Sequence, residues 1–172
     1  MKKFYLSLFF LFGIMMWASP QTTAPEISDA QAMFIYNFSR LVKWPVNATQ
    51  GDFVIGVLGN NETYGSLKSY TTAKKVGAQK IIIKKFNNPE DITTCNILFV
   101  GASKSSKMDK INEKLNGTNT LIIGEHSGIT ESGAAINFVL IGNRLKFELN
   151  KNNIDKYNLI VSKSLQDMAY KN

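Results

Sequence analysis

The sequence predicts an α/β fold: a three-layer sandwich with a mostly parallel central sheet, a C-terminal antiparallel hairpin and a closing helix. Three observations carry that expectation. Phe53–Leu58, Gln79–Phe86 and residues 96–100 and 120–124 are short runs rich in Ile, Val, Leu and Phe. Strands apolar through their centres belong to sheets covered on both faces. The stretches between several of these runs carry helical periodicity. At residues 133–150, two runs of strand character flank Gly142-Asn143, a dipeptide that tolerates the positive φ required by primed hairpin turns.

Residues 1–20 have the layout of a secretory signal peptide: Met1-Lys2-Lys3, then an apolar run from Phe4 to Trp17 broken only by Ser7, then Ala18-Ser19-Pro20. The run is shorter than the roughly 18–20 residues of a spanning helix, although an uncleaved anchor is the competing reading and Pro20 leaves the cleavage point open. No cysteine follows it, so a lipoprotein anchor is not expected. The mature chain is therefore expected to be exported, beginning near Gln21. Residues 21–27, with Thr22-Thr23-Ala24-Pro25, read as a linker. Residues 28–172 read as one domain, long enough to enclose a core.

Ser28 or Asp29 is expected to cap a helix running to about Lys43, with Gln31 placed for a capping box. Phe34, Ile35, Phe38, Leu41 and Val42 form its apolar face, and Trp44-Pro45 ends it because proline disfavours helical geometry in the preceding residue. Tyr36, Asn37, Arg40 and Lys43 are left for the other face. Gly59-Asn60-Asn61 turns the chain from a strand into a helix over about 62–72. Residues 103–116 form an amphipathic helix with Met108, Ile111 and Leu115 inward, closed by Gly117. In the second hairpin strand Leu145, Phe147 and Leu149 alternate with Arg144, Lys146 and Glu148, so one face meets a core and the other meets water or a partner. A last helix spans about 151–170, with Ile154, Leu159, Val161, Leu165, Met168 and Ala169 inward and Asn158 loosening its middle.

The chain carries 20 Lys and Arg against 13 Asp and Glu, a net charge of +7, of which Lys2 and Lys3 leave with the leader. The remaining lysines are scattered, unlike the stripe of a nucleic-acid binder, and suit a solvated surface. Cys95 is the only cysteine, which excludes an intramolecular disulfide. It is expected to be a buried free thiol, with an intermolecular disulfide as the alternative. His126 is the only histidine and reads as a loop residue; neither a His-containing triad nor a multi-histidine metal site is expected. Glu125 and Glu131 flank it as a conceivable acid/base pair, but no catalysis, metal or cofactor is expected. Gly59, Asn60 and Asn61 are the candidate anion or small-ligand site, where backbone N–H groups open a helix. Their spacing is not GxGxxG and no GK[ST] follows; a tight turn that needs glycine explains them equally. Asn37, Asn47, Asn61 and Asn116 begin N-x-[ST] sequons, glycan acceptors only in a eukaryotic secretory route. Tyr36, Arg40 and Trp44, with Arg144 and Lys146 of the hairpin, are the candidate partner-binding residues, since large aromatics and arginine concentrate at binding hot spots. Trp44 has a second reading as a plug of the core below the helix end.

Residues 34–45 (FIYNFSRLVKWP), 53–59 (FVIGVLG), 95–100 (CNILFV), 136–138 (INF), 146–150 (KFELN) and 159–169 (LIVSKSLQDMA) together resemble, in order, the YfiR family of bacterial periplasmic proteins. The resemblance implies a regulator without catalysis of its own. It would repress a membrane-bound diguanylate cyclase by binding its periplasmic part, act as a homodimer, and be sequestered by an OmpA-like, peptidoglycan-associated outer-membrane lipoprotein. That places it in cyclic-di-GMP signalling. The best-known members hold paired cysteines, whereas Cys95 stands alone, so the core must supply the stability. A periplasmic small-ligand-binding module serving sensing or uptake is the alternative.

Overall fold

The computed structural model describes residues 23–171; the expected leader, 1–20, and the start of the expected linker lie outside them. The chain opens with α1 (Ala24–Leu41). Its start precedes Ser28, because Thr23 caps it: the Thr23 hydroxyl accepts from Glu26 N while the Glu26 carboxylate accepts from Thr23 N, and Pro25 sits in the first turn. Proline there loses no intrahelical bond and its φ already suits a helix. Ser28 and Gln31 are consequently buried inside the helix rather than capping it.

The elements that follow are β1 (Val42–Lys43), β2 (Phe53–Leu58), α2 (Asn61–Tyr70), β3 (Lys75–Val76), β4 (Gln79–Phe86), β5 (Ile97–Val100), α3 (Met108–Lys114), β6 (Leu121–Gly124), β7 (Ile136–Ile141), β8 (Arg144–Leu149), α4 (Lys151–Lys156), β9 (Ile160–Val161) and α5 (Lys163–Met168). The main sheet runs β3-β4-β2-β5-β6-β7-β8. β4, β2, β5, β6 and β7 are parallel, and β3 and β8 are antiparallel at the two edges. The β2–α2–β4 crossover steps one way along the sheet and β5–α3–β6 steps the other. Because such crossovers are right-handed, α2 and α3 lie on opposite faces, which makes the sandwich three-layered.

The hairpin forms as its sequence expects. Gly142 and Asn143 have φ of 54° and 60°, and the register runs from Ile141↔Arg144 to Ile136↔Leu149. Phe138 and Phe147 of the hairpin meet Phe38 of α1 with ring centroids 6.0 and 5.0 Å away, and Phe34 joins them. This aromatic cluster closes the core between α1 and the β7–β8 edge.

The single closing helix is not observed. Asn158 adopts φ 54°, and its N–H bonds back to Asp155 O while Leu159 N bonds to Ile154 O. That left-handed residue ends α4, as asparagine can. Ile160 and Val161 then pair with Lys43 and Val42 as a small antiparallel sheet, and Ser162 caps the short α5 by accepting from Leu165 N. The 103–116 helix likewise starts as a 3-10 turn, Ala102–Lys107, before α3.

Candidate functional site

In a doubly wound sheet, the crevice lies outside the carboxyl ends of the two strands whose connections depart in opposite directions. Here those strands are β2 and β5, and the crevice is framed by Gly59-Asn60 after β2, Gly101-Ala102 after β5 and Glu125 after β6. Gly59 is needed at its rim twice over: its φ is 80°, and a Cβ there would collide with the Lys104 side chain. A Cβ on Gly101 would stand 2.8 Å from Gly59 O, so the two turns can pack only as glycines.

The chain's own carboxylate occupies this crevice. Glu125 Oε1 accepts from Asn60 Nδ2 at 2.9 Å and from Ala102 N at 3.1 Å, and Oε2 accepts from Gln31 Nε2 at 2.7 Å. Gln31 Oε1 in turn accepts from the Thr63 hydroxyl at 2.6 Å. Asn60 also caps α2, its Oδ1 accepting from Thr63 N at 2.9 Å. The network ties α1, α2 and the turns after β2, β5 and β6 to one half-buried carboxylate. Of the candidate ligand residues, Gly59 and Asn60 belong to it, while Asn61 begins α2 and is exposed. Gln31, Thr63 and Ala102 were not legible as members, because only the tertiary fold brings α1 and β6 to this crevice. Glu131 and His126 stay apart from it: both are exposed, Glu131 accepts from the Thr130 hydroxyl, and His126 Nδ1 lies 2.7 Å from Ser127 O.

The candidate partner residues fall in three places. Tyr36, half-buried on α1, stacks edge-on against Tyr70 of α2 at 5.9 Å, and Lys74 Nζ lies 3.3 Å above the Tyr70 ring and 5.3 Å from that of Tyr36. Arg40, exposed, reaches the same Tyr36 ring at 5.9 Å. Cations over aromatic faces are attracted by the ring quadrupole, so this surface presents a rigid aromatic–cationic cluster in which Tyr70 and Lys74 are the members the sequence did not reveal. Trp44 is elsewhere, 8% exposed, edge-on to Phe53 at 5.1 Å with Nε1 donating to Asn119 O at 3.1 Å; it is packed into the core. Arg144 and Lys146 project from the outer edge of the hairpin into solvent, and Lys146 Nζ lies 5.0 Å from the Tyr170 ring. Glu148, on the same strand face, is instead held half-buried by Asn137 Nδ2 at 3.1 Å.

Cys95 is 4% exposed, and burial pushes its thiol up from 9.0 to about 12. A thiol that stays protonated inside the core is a poor nucleophile, so a disulfide between copies would require opening the fold. In the unfolded chain the thiol ionises from about pH 9, and in the folded chain only near pH 12. The folded state therefore holds the extra proton in that window, and stability falls as pH rises through it. The native protein is expected to leave a thiol reagent unreacted until denaturant is added. Cys95→Ala is expected to flatten the fall in stability between about pH 9 and 12; prompt native-state labelling would show the thiol to be accessible.

Among the described residues, no group of three His, Cys, Asp or Glu side chains is placed to hold a metal ion. No helix among them is long and apolar enough to cross a membrane. A model of the YfiR/HmsC-like family matches residues 28–170. The chain belongs to the YfiR/HmsC-like family. Membership supports a periplasmic regulator of the YfiR type, in a family that regulates rather than catalyses. No curated protein is matched. Among solved structures, a conserved domain protein from Vibrio cholerae O1 biovar El Tor superposes with a TM-score of 0.56 at 12% identity over 83% of this chain and 58% of that one. An ABC domain from Streptococcus pneumoniae in complex with L-Trp superposes with a TM-score of 0.55 at 11% identity, over 83% of this chain and 59% of that one. This YfiR/HmsC-like chain thus spans less than two thirds of either neighbour, and at such identity the likeness is one of fold.

Proposed function

We propose that this YfiR/HmsC-like protein is an exported, non-catalytic repressor that docks on the periplasmic part of an inner-membrane signalling protein, a diguanylate cyclase. In the same proposal it is a homodimer and is released from the cyclase when an OmpA-like outer-membrane lipoprotein binds it. The family match across residues 28–170 carries the reading. The crevice adds support, since the position where a doubly wound fold offers backbone N–H groups to a ligand is filled by Glu125. In this reading the protein acts through its surfaces. Arg144 and Lys146, exposed at one sheet edge, and the Tyr36–Arg40 cluster on α1 are the proposed contacts.

Affinity capture from a solubilised membrane fraction, using the full chain as bait, tests this. The expected result is recovery of a membrane protein with a cytoplasmic output domain. Arg144→Glu/Lys146→Glu is expected to weaken the capture at least tenfold, about 1.4 kcal/mol, with an unchanged melting temperature, because both side chains are solvated. Recovery of no such protein would sink the regulator reading; undiminished capture by the double variant would remove the hairpin face from it.

A second reading is supported by the strand order, which places a crevice between β2 and β5, and by a structural neighbour crystallised with L-Trp. In that reading the protein is a periplasmic small-ligand-binding module. Stabilisation by L-Trp, another amino acid or a small anion in a thermal-shift screen would favour it, and a flat response would count against it.

A further inference from the structure

The two edges of the main sheet are finished differently. At β8 the chain covers its own edge, with Tyr170 N donating to Phe147 O at 2.8 Å. At the other edge β3 is only Lys75 and Val76, paired with Lys80 and Gln79. Beyond Lys80, β4 continues through Ile81 to Phe86, hydrogen-bonded to β2 on its inner side and joined by no strand on its outer side among the described residues. Between this bare edge and the C-terminal end of α2 runs a cleft of about 510 Å³. Ile82 lines it together with Lys68, Lys74, Lys75 and Lys80, and no carboxylate among the described residues does. None of these lysines forms an ion pair among the described residues. Lys75 and Lys80 moreover sit directly opposite one another across the β3–β4 ladder, where like charges repel.

We infer that the cleft along the outer edge of β4 is a docking site for an extended acidic segment of a partner protein, added as a further strand. The unpaired backbone of β4 supplies main-chain hydrogen bonds to such a segment. The isoleucines supply apolar contact, and carboxylates arriving beside Lys75 and Lys80 relieve their repulsion. A flat anionic lipid surface would meet the lysines but has no backbone to pair with the open strand edge. The inference rests on the regulator reading only in taking the partner to be a protein.

The test uses the purified full chain and a fluorescent peptide, Ac-EVEVEVE-NH2, followed by anisotropy. Saturable binding is expected, weakening as ionic strength rises from about 0.05 to 0.5 M. Lys75→Glu/Lys80→Glu is expected to weaken it about tenfold or more, while Lys107→Glu/Lys114→Glu, just before and at the end of α3, leaves it unchanged. A peptide with N-methylated alternate amides keeps its charge but loses the strand's donors, and it is expected to bind about tenfold more weakly. Three results would overturn the inference: no binding by the wild-type chain, equal loss in both lysine pairs, or equal binding of the N-methylated peptide. Self-association of the Lys75→Glu/Lys80→Glu variant with no peptide binding by the wild type would also overturn it, marking the lysines as guards against edge pairing. The membrane capture described above does not depend on this outcome, so either result can fail alone.

Discussion

Trp44→Ala is expected to destabilise the protein by about 3–5 kcal/mol, a large share of the roughly 5–15 kcal/mol that holds a domain folded. The indole lies where four segments meet. It stands edge-on to Phe53 at the start of β2, 5.1 Å between centroids. Its Nε1 donates to Asn119 O, and Asn119 Nδ2 donates to Tyr157 O at the end of α4. Immediately before it, Val42 pairs with Val161. Truncation to alanine opens a cavity bounded by strands that cannot easily close, and strands the Asn119 carbonyl. Trp44→Phe keeps part of the apolar contact but loses the donor and one ring's volume, so its expected cost is smaller, about 1–3 kcal/mol. Urea midpoints at constant slope measure both. A loss below about 0.5 kcal/mol for the alanine variant would show that the ring does not hold the core.

Glu125→Ala is the second large effect, expected at about 2–3 kcal/mol because it removes the acceptor of several donors at once at a half-buried site. Asn60 Nδ2, Ala102 N and Gln31 Nε2 all point at its two oxygens. Glu125→Gln separates acceptor capacity from shape. Its amide oxygen can keep Asn60 and Ala102, but its NH2 then faces the Gln31 NH2. Gln31 can turn over only if the Thr63 hydroxyl stops donating to it. Some rearrangement is available, so the expected cost is smaller, about 1–2 kcal/mol. The alanine variant also removes the carboxylate from the crevice, and its hydrogen-exchange protection is expected to fall at Gly59–Thr63 and Ala102 before the β7–β8 hairpin loosens. Equal stability of wild type and alanine variant would mean that water replaces the carboxylate without loss.

How far each feature was legible follows from how local its cause is. The hairpin was legible because Gly142-Asn143 sets the turn and the alternation from Arg144 to Leu149 sets the faces, both within a few residues. The four parallel strands before the hairpin were legible because a strand buried on both faces has to be apolar at its centre, whereas the parallel pairing of β7 with β6 came only from the tertiary structure. The start of α1 had a local signal too. Thr23-x-x-Glu26 with Pro25 is a capping box, but the same Thr, Ala and Pro residues also have the composition of a linker, and composition alone cannot separate the two. The break at Asn158 needed a rival bonding partner to win. A continuous helix over 151–170 satisfies its apolar pattern, and only the pairing of Ile160-Val161 with Val42-Lys43 rewards ending it early.

By itself, the sequence determined the α/β class, the strands and their hairpin, the family membership through its ordered apolar motifs, and the absence of paired cysteines. These depend on residue type, short-range periodicity and chain order. Only the tertiary structure decided that Trp44 belongs to the core, that Cys95 is sealed from solvent, and that Glu125 fills the crevice between β2 and β5. It alone shows that, among the described residues, one sheet edge is covered by Tyr170 while the other stays open among lysines. Those features arise from groups tens of residues apart in the chain. Their energies come from burial and hydrogen-bond pairing, which no local pattern encodes.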